Sequence, residues 1–473
     1  MAVRQEVAGG GTGRSERTGG ALALGRRGFL FGALALGLPG VGEAAVLPPY
    51  SGQLRIVRSY GALGRAIAEA RPGDRILLKA GTYHGPELSL LRSGTESRPI
   101  QIVAEELHAV EMRTAFAVLG SDWTFWGLSW VDYARVGDLI HIHAPRVTVL
   151  RCRFLDYASA DPEEPFGAVS IRGGADACRV GYNEFRPFGY KYEYCDSPYN
   201  RGRRGGIRVS AYDARDVPRE IRIWRNHFHD FPSKSAPLAS QDIACGLVGP
   251  ASPYKVRKPS CLVLGETAST ARIPLGALVE YNLFERCDQG SDSNAMETKS
   301  SDNIIQFNHF VNCHSYFGIL QGFNNQLIGN RFEDSLRMVI QSHGGLALGN
   351  VTQGASGRHL GLELFAGQVD STTTQNNRMP AAGNVTLVGG DYHRLCIGRA
   401  YDGYTYPARD LTFRGVRVRG VLLTAANYRS LPGVVRQVYD PLSLRFTADP
   451  GRTVPLAVRL ARSNVGPLAL WRG

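Results

Sequence analysis

Between Tyr281 and Phe332 one three-residue mark recurs: Asn, any residue, Phe, at Asn282/Phe284, Asn308/Phe310 and Asn330/Phe332. The spacings are 26 and 22 residues. A period of this size marks a solenoid, in which each repeat is one coil stacked on the last. Within a coil, short runs alternate apolar and polar residues, as in Ile304-Ile305-Gln306-Phe307 and Gln326-Leu327-Ile328, and Gly and Asn punctuate them. That pattern suits short strands joined by turns, not helices. The predicted fold is all-β: a single-stranded, right-handed parallel β-helix. Its Phe residues stack inside. Its Asn side chains ladder at the corners and satisfy the backbone of the next coil. The same mark occurs at Asn183/Phe185 and Asn226/Phe228, which extends the solenoid towards the N-terminus.

The rest of the chain supports this reading. Residues 60–71 place Leu63, Ile67 and Ala70 on one helical face. A short helix there caps the apolar first coil and its unpaired strand edge. Arg75–Lys79 follows as a strand and Ala80–Tyr83 as a turn; further strands are expected at Ile100–Ala104, Trp123–Trp130, Leu139–His143 and Val147–Phe154. Abundant glycine, 56 residues, fits a turn-rich β architecture. The pattern weakens after residue 425, so the expected organisation is 1–45 leader, 46–425 β-helix and 426–473 capping or trailing segment. Cys152/Cys178 and Cys287/Cys313 are each one coil apart and are expected to stack as buried thiols, without a metal-binding Cys spacing.

Residues 25–45 combine Gly25-Arg26-Arg27-Gly28-Phe29-Leu30, an apolar run too short to span a bilayer, and small residues at Ala44-Ala45. This is the pattern of a twin-arginine export signal, which implies a periplasmic or secreted protein. The net charge of +12 favours anionic partners, and acidic polysaccharide fits an exported protein better than nucleic acid, for which no motif is present. The segment Phe188–Arg204, aromatic and basic, breaks the repeat and is expected to form a loop beside a groove, where rings pack on sugars and cations meet carboxylates. His141/His143 and His227/His229 each put two imidazoles on one strand face; solvent-facing polar strands are the expectation, and a metal site the alternative.

Three stretches, ALGRAIAEARPGDRILLKAGTYHG, DWTFWGLSW and YNLFERCDQGSDSNAMETKSSDN, resemble the chondroitinase B and alginate lyase family of β-helix polysaccharide lyases. The resemblance spans roughly residues 53–350. It implies cleavage of a uronate-containing polysaccharide by β-elimination. In that chemistry a base removes a weakly acidic proton α to a carboxylate, a cation stabilises the developing charge, and an acid protonates the leaving oxygen. The family's base maps onto Lys299. Its calcium carboxylates fall at Asp292 and Asn294, with Glu297 as a substitute, and its acid Arg falls at Gln321. Calcium is therefore possible, but one Asp and one neutral Asn make a poor site for a hard cation. The reading carried forward is a calcium-independent lyase in which Arg257 or Lys258 neutralises the substrate carboxylate, with Tyr316 and Arg337 as further binding residues. His343, His314 and Tyr316 are the acid candidates. The alternative is an inactive β-helix that binds acidic polysaccharide. Hydrolysis is disfavoured: Asp288, Asp292, Glu297 and Asp302 cluster without a recognisable carboxylate pair.

Overall fold

The computed structural model describes residues 47–448 except 136, 160–166, 188–204, 211–215, 232–259, 266–270, 288–293, 314–315, 336, 355–360, 374–377, 401–402, 424–435 and 438–439, together with residue 465. The export signal, the Phe188–Arg204 segment, Cys195 and Cys245 lie outside these residues. The chain is a parallel β-helix. Among the described residues, each central coil contributes one strand to each of three ladders. The first ladder holds fourteen strands, from Leu54–Val57 to Leu444–Thr447. The second runs through Arg153–Ser159, Glu184–Pro187, His227–His229, Leu283–Glu285, His309–Val311 and Arg331–Glu333. The third runs through Val169–Ile171, Ile207–Val209, Ser260–Leu264, Asn294–Lys299, Tyr316–Gln321 and Arg337–Ile340. Every pairing in this central stretch is parallel and joins one coil to the next.

The corners explain how such short strands turn. Among the described residues, most corners carry one residue with a left-handed backbone. Between the first and second ladders these are Arg151, Tyr182, Arg225, Tyr281, Phe307 and Gly329; after the second, Asp156, Asp230, Arg286, Asn312 and Asp334; before the first, Ala177, Glu220, Asp302 and Asn324. The conformation costs an L-residue about 1–2 kcal/mol, so something must hold each corner in place.

At the first corner two columns do so. Inside, the Asn that follows the left-handed residue joins a continuous ladder. The series opens with the Cys152 backbone N–H on Asn183 Oδ1; Asn183, Asn226, Asn282, Asn308 and Asn330 then each give a backbone and a side-chain N–H to the Oδ1 of the next Asn, ending at Asn350, at 2.9–3.0 Å. Each amide also donates to a carbonyl of the preceding coil, as Asn308 does to Val279 at 3.0 Å. All six Asn residues are buried. Outside, side chains at the left-handed positions stack: Arg151 lies 5.3 Å from the Tyr182 ring, Arg225 lies 5.2 Å from Tyr281, and Tyr281 stacks on Phe307 at 5.3 Å. Two residues beyond each Asn, the core carries a column of near-parallel rings, Phe154, Phe185, Phe228, Phe284, Phe310 and Phe332, with centroids 4.5–4.9 Å apart. Offset ring pairs add roughly 0.5–1.5 kcal/mol each beyond area burial.

The capping helix is present as Tyr60–Ala68, with Ser59 as its N-cap and Leu63, Ala66 and Ile67 buried. Several expected boundaries move. Trp123–Trp130 and Val147–Phe154 are each two strands of different ladders, broken at left-handed Gly127 and Arg151. The expected turn at 80–83 is strand Gly81–His84, which opens the second ladder. Cys287 and Cys313 are buried and stack as expected, because Glu285 pairs with Val311 two residues earlier. Cys152 and Cys178 do not stack: register places Cys152 beside Asn183 at the first corner, whereas Cys178 precedes strand Arg179–Gly181 at the opposite one. A spacing of one coil is not a register when coil lengths differ. The first ladder also continues past residue 425, to Leu444–Thr447.

Two outcomes follow. Asn308→Ala removes two acceptor contacts and two side-chain donor contacts inside the stack, leaving buried groups of adjacent coils unpaired; chemical denaturation should show a loss of about 3 kcal/mol or more. Burial, with Arg153 adding to it, pushes the His108 imidazole down to about 4. Between that value and the ordinary value near 6.5 the unfolded chain binds a proton that the fold rejects, so stability is lost as pH falls through this window, on the order of 2 kcal/mol from this group. Unfolding at pH 7 and pH 4.5 should differ less in His108→Asn, which tolerates the left-handed backbone at this position.

Candidate active site

The third ladder carries the residues singled out from sequence. Met296, Phe317 and Met338 pair in register and point into the core; the next positions, Glu297, Gly318 and Val339, point outward. The register shifts between Thr298 and Lys299: the extra residue, Leu320, is on the neighbouring strand, so Lys299 pairs with Gln321 on the next coil. On its own strand, alternation about buried Thr298 puts Lys299 outward beside Glu297, with a side chain 24% exposed and ion-paired to Glu297.

The residues after Lys299 are structural. Ser300 Oγ donates to the Leu264 carbonyl at 3.2 Å and accepts from Asn303 at 3.0 Å. Ser301 donates to the Ala271 carbonyl and accepts the Phe323 N–H at 2.9 Å. Asn303 donates to Asn325 Oδ1, a second, shorter amide ladder at this corner. Of the Lys-Ser-Ser-Asp-Asn run, Lys299 is the side chain on the outer face of the third ladder, and Asp302 is exposed at the corner, accepting from Asn324. Glycines let the strands approach: a Cβ on Gly265 would lie 2.5 Å from the Lys299 carbonyl oxygen, and one on Gly322 would lie 2.1 Å from that of Ser300.

Gln321 is 4% exposed. Its Nε2 donates to the Arg378 carbonyl at 3.2 Å, and its Oε1 has no hydrogen-bond partner among the described residues. His343 is not in the outward row. It pairs with Phe323 and Gly383 at the corner before the first ladder, and its Nδ1 lies 3.0 Å from Ser371 Oγ. Burial lowers its basicity, against the opposing fields of Asp370 and Asp410. Arg257, Lys258, Asp292 and His314 lie outside the described residues, as do the side chains of Asn294, Tyr316 and Arg337. Strand pairing places the backbones of Asn294, Tyr316 and Arg337 in one row across three coils. The structure therefore brings Lys299, Glu297 and Gln321 together on two coils and sets His343 apart at a corner.

Beyond these coils the outer face is covered. Leu320, Val339 and Phe365 form an apolar cluster outside the solenoid core, with Met379 and Tyr404 packed on it. Residues 367 and 406 exchange backbone hydrogen bonds at 2.9 and 3.0 Å above it. Glu363, in the outward row, is fully buried and pairs with Arg399 at 2.5 Å. In the other direction the row continues through Val263 to Arg208, which is half-buried. Sequence reasoning missed Arg208, although the alternation Ile207-Arg208-Val209 marks it as the outward residue of its strand.

Residues 57–118 match the family model described as chondroitinase B. No curated protein matches the chain in sequence. Solved structures share its fold. A substituted form of the PL6 family alginate lyase AlyGC superimposes with a TM-score of 0.61 at 17% identity, over 84% of this chain and 53% of that one. A mannuronic acid specific polysaccharide family 6 lyase from human gut microbiota gives 0.60 at 17%, over 81% and 84%. A PL6 family polysaccharide lyase from Pseudopedobacter saltans gives 0.57 at 15%, over 88% and 99%. The chain thus spans about half the length of AlyGC and nearly all of the Pseudopedobacter protein. The likeness to the chondroitinase B and alginate lyase group is distant, and it rests on the first coils in sequence and on the whole solenoid in fold.

The site depends on close strand approach at Gly322. Gly322→Ala drives a methyl into backbone at a left-handed position and should cost roughly 3 kcal/mol or more, whereas Gly276→Ala, left-handed but facing open space, should cost about 1. Denaturant midpoints of the two variants test the difference.

Proposed function

We propose that this protein is an exported polysaccharide lyase-like enzyme that cleaves an acidic, uronate-containing polysaccharide by β-elimination, with Lys299 as base. One observation carries the reading: in a fold shared with PL6 lyases, Lys299 stands outward at a strand end where the register shifts, its coil supported by glycines and buried amides below and above. Export rests on the Arg26-Arg27 leader.

The chemistry assigned to each residue is limited. A neutral Lys299 amine would take the proton α to the substrate carboxylate. Glu297, accepting one N–H of that amine, fixes where its lone pair points and stabilises the ammonium that forms. The C–O bond to the leaving sugar then breaks as the C–C double bond forms. Gln321 has no ionisable proton and is buried with its Nε2 held by the Arg378 carbonyl, so it is assigned no proton transfer. Calcium does not fit what is placed. Glu297 is committed to Lys299 and the residue at 294 is a neutral amide, so no step is routed through a metal. Arg257 or Lys258 is proposed to neutralise the substrate carboxylate and Tyr316 to protonate the leaving oxygen; His343, held at its corner against Ser371, is not assigned this step.

A second reading, an acidic-polysaccharide binder without catalysis, is favoured by the same residues: Lys299 is engaged in an ion pair with Glu297, and the Gln321 amide is tied to the Arg378 carbonyl. The two readings separate in one experiment. The protein is incubated with alginate, glycosaminoglycans and bacterial exopolysaccharides, with calcium or chelator, and the ultraviolet absorbance of unsaturated uronate ends is followed. A chelator-insensitive rise, reduced at least about 10³-fold in Lys299→Ala, is the expected result. Binding to the same polymers without such a rise supports the binder, and a calcium-dependent rise overturns the metal-independent mechanism.

A further inference from the structure

The second ladder carries a different cluster on its outer face. Phe228 points into the ring column, so His227 and His229 on either side of it point out. The expected solvent-facing strand is not what forms: the two histidines are 6% and 7% exposed, and their rings stack at 4.3 Å with planes 23° apart. Glu184, on the preceding coil, faces them. One ligand atom from each of Glu184, His227 and His229 can be chosen so that all three lie within 4.8 Å of one another.

The hydrogen bonds around this cluster have the polarity of a metal site. His229 Nδ1 lies 2.7 Å from Asp230 Oδ2, and its Nε2 lies 3.1 Å from Glu184 Oε1. A carboxylate on the far nitrogen of a histidine fixes the tautomer whose other nitrogen points its lone pair at a metal. Asp230 is itself held by Arg286, at 2.5 and 3.0 Å. Arg153 occupies the other oxygen of Glu184 at 3.0 Å, leaving Oε1 turned towards the histidines. His227 Nε2 lies 3.2 Å from Glu285 Oε2 on the following coil. Two imidazoles and a carboxylate, with a second carboxylate adjacent, are the donor set of zinc-class ions rather than of calcium.

We infer that Glu184, His227 and His229 form a binding site for a zinc-class divalent ion, with Glu285 available as a fourth ligand and Asp230 orienting His229. The ion takes the place of the proton between His229 Nε2 and Glu184. It ties three successive coils together on a ladder separate from the one that carries Lys299. The inference is independent of the lyase reading, and its role is structural.

The test uses the untagged full chain, stripped with chelator and titrated with Co²⁺, then with Zn²⁺ as competitor. The expected result is one equivalent of bound Co²⁺ with visible bands of nitrogen and oxygen ligation, no thiolate charge-transfer band, and displacement by Zn²⁺. His229→Gln should abolish the bands. Asp230→Asn, at a side chain 42% exposed that should not compromise folding, should weaken affinity about 10- to 100-fold. No uptake by the wild-type chain overturns the inference and leaves a closed ion-pair network. Uptake unchanged in both variants, or a thiolate band, overturns it in favour of another site.

Discussion

The structure depends on a buried amide satisfying the coil next to it. A solenoid has no distant part of the chain to complete its hydrogen bonds at the corners; each coil must offer its neighbour what it takes from the one before. Asn does this with one side chain, because its oxygen receives from one coil while its nitrogen gives to another. The ladder from Asn183 to Asn350 therefore holds the left-handed corners, the corners keep the strands short, and the short strands bring the Phe column into register. The interactions are mutually supporting: the local cost of each corner is offset only when the coils on both sides are present.

The same economy shapes the candidate site. The conspicuous run Lys299-Ser300-Ser301-Asp302-Asn303 is largely corner architecture, with Ser300, Ser301 and Asn303 each bonded to a neighbouring coil. Its outward member on the third ladder, Lys299, sits at a register shift, where the ladder is already irregular, while Asp302 is exposed at the corner. On one side of Lys299 the outer face is closed by the Leu320–Val339–Phe365 cluster and the buried Glu363–Arg399 pair. The outer face at Lys299 is thus bounded by that closure on one side and by the row leading to Arg208 on the other.

Much of this was legible in the sequence because the repeat leaves its mark at buried, obligatory positions. The Asn-x-Phe triplets gave the ladder, the ring column, the parallel architecture and the stacking of Cys287 on Cys313. The corners were less legible. A left-handed backbone at Arg151, Tyr182, Arg225 or Phe307 carries no residue signature, since its cost is met by stacking with other coils rather than by glycine. Strands were consequently joined across corners, and Cys152 was matched to Cys178 by distance along the chain. In the site, the family resemblance singled out Lys299 and Gln321, and strand register pairs the two positions. The sequence could not show that Glu297 turns to Lys299, that Gln321 is tied to a distant carbonyl, or that His227 and His229 are buried together, because each depends on which coil lies alongside.

The Asn ladder also records where this chain has been free to lengthen. Successive ladder residues are 31, 43, 56, 26, 22 and 20 residues apart, yet the two-residue corner between the first and second ladders is the same in every one of these coils. All the variation falls elsewhere, in the connections that flank the third ladder. The amide column thus behaves as a spine with a fixed side and a permissive side. Insertions that broke the first corner would unseat every coil above them, whereas insertions beside the third ladder leave the stack intact. New chemistry in such a molecule accumulates on the permissive side, and that is the side on which Lys299 stands.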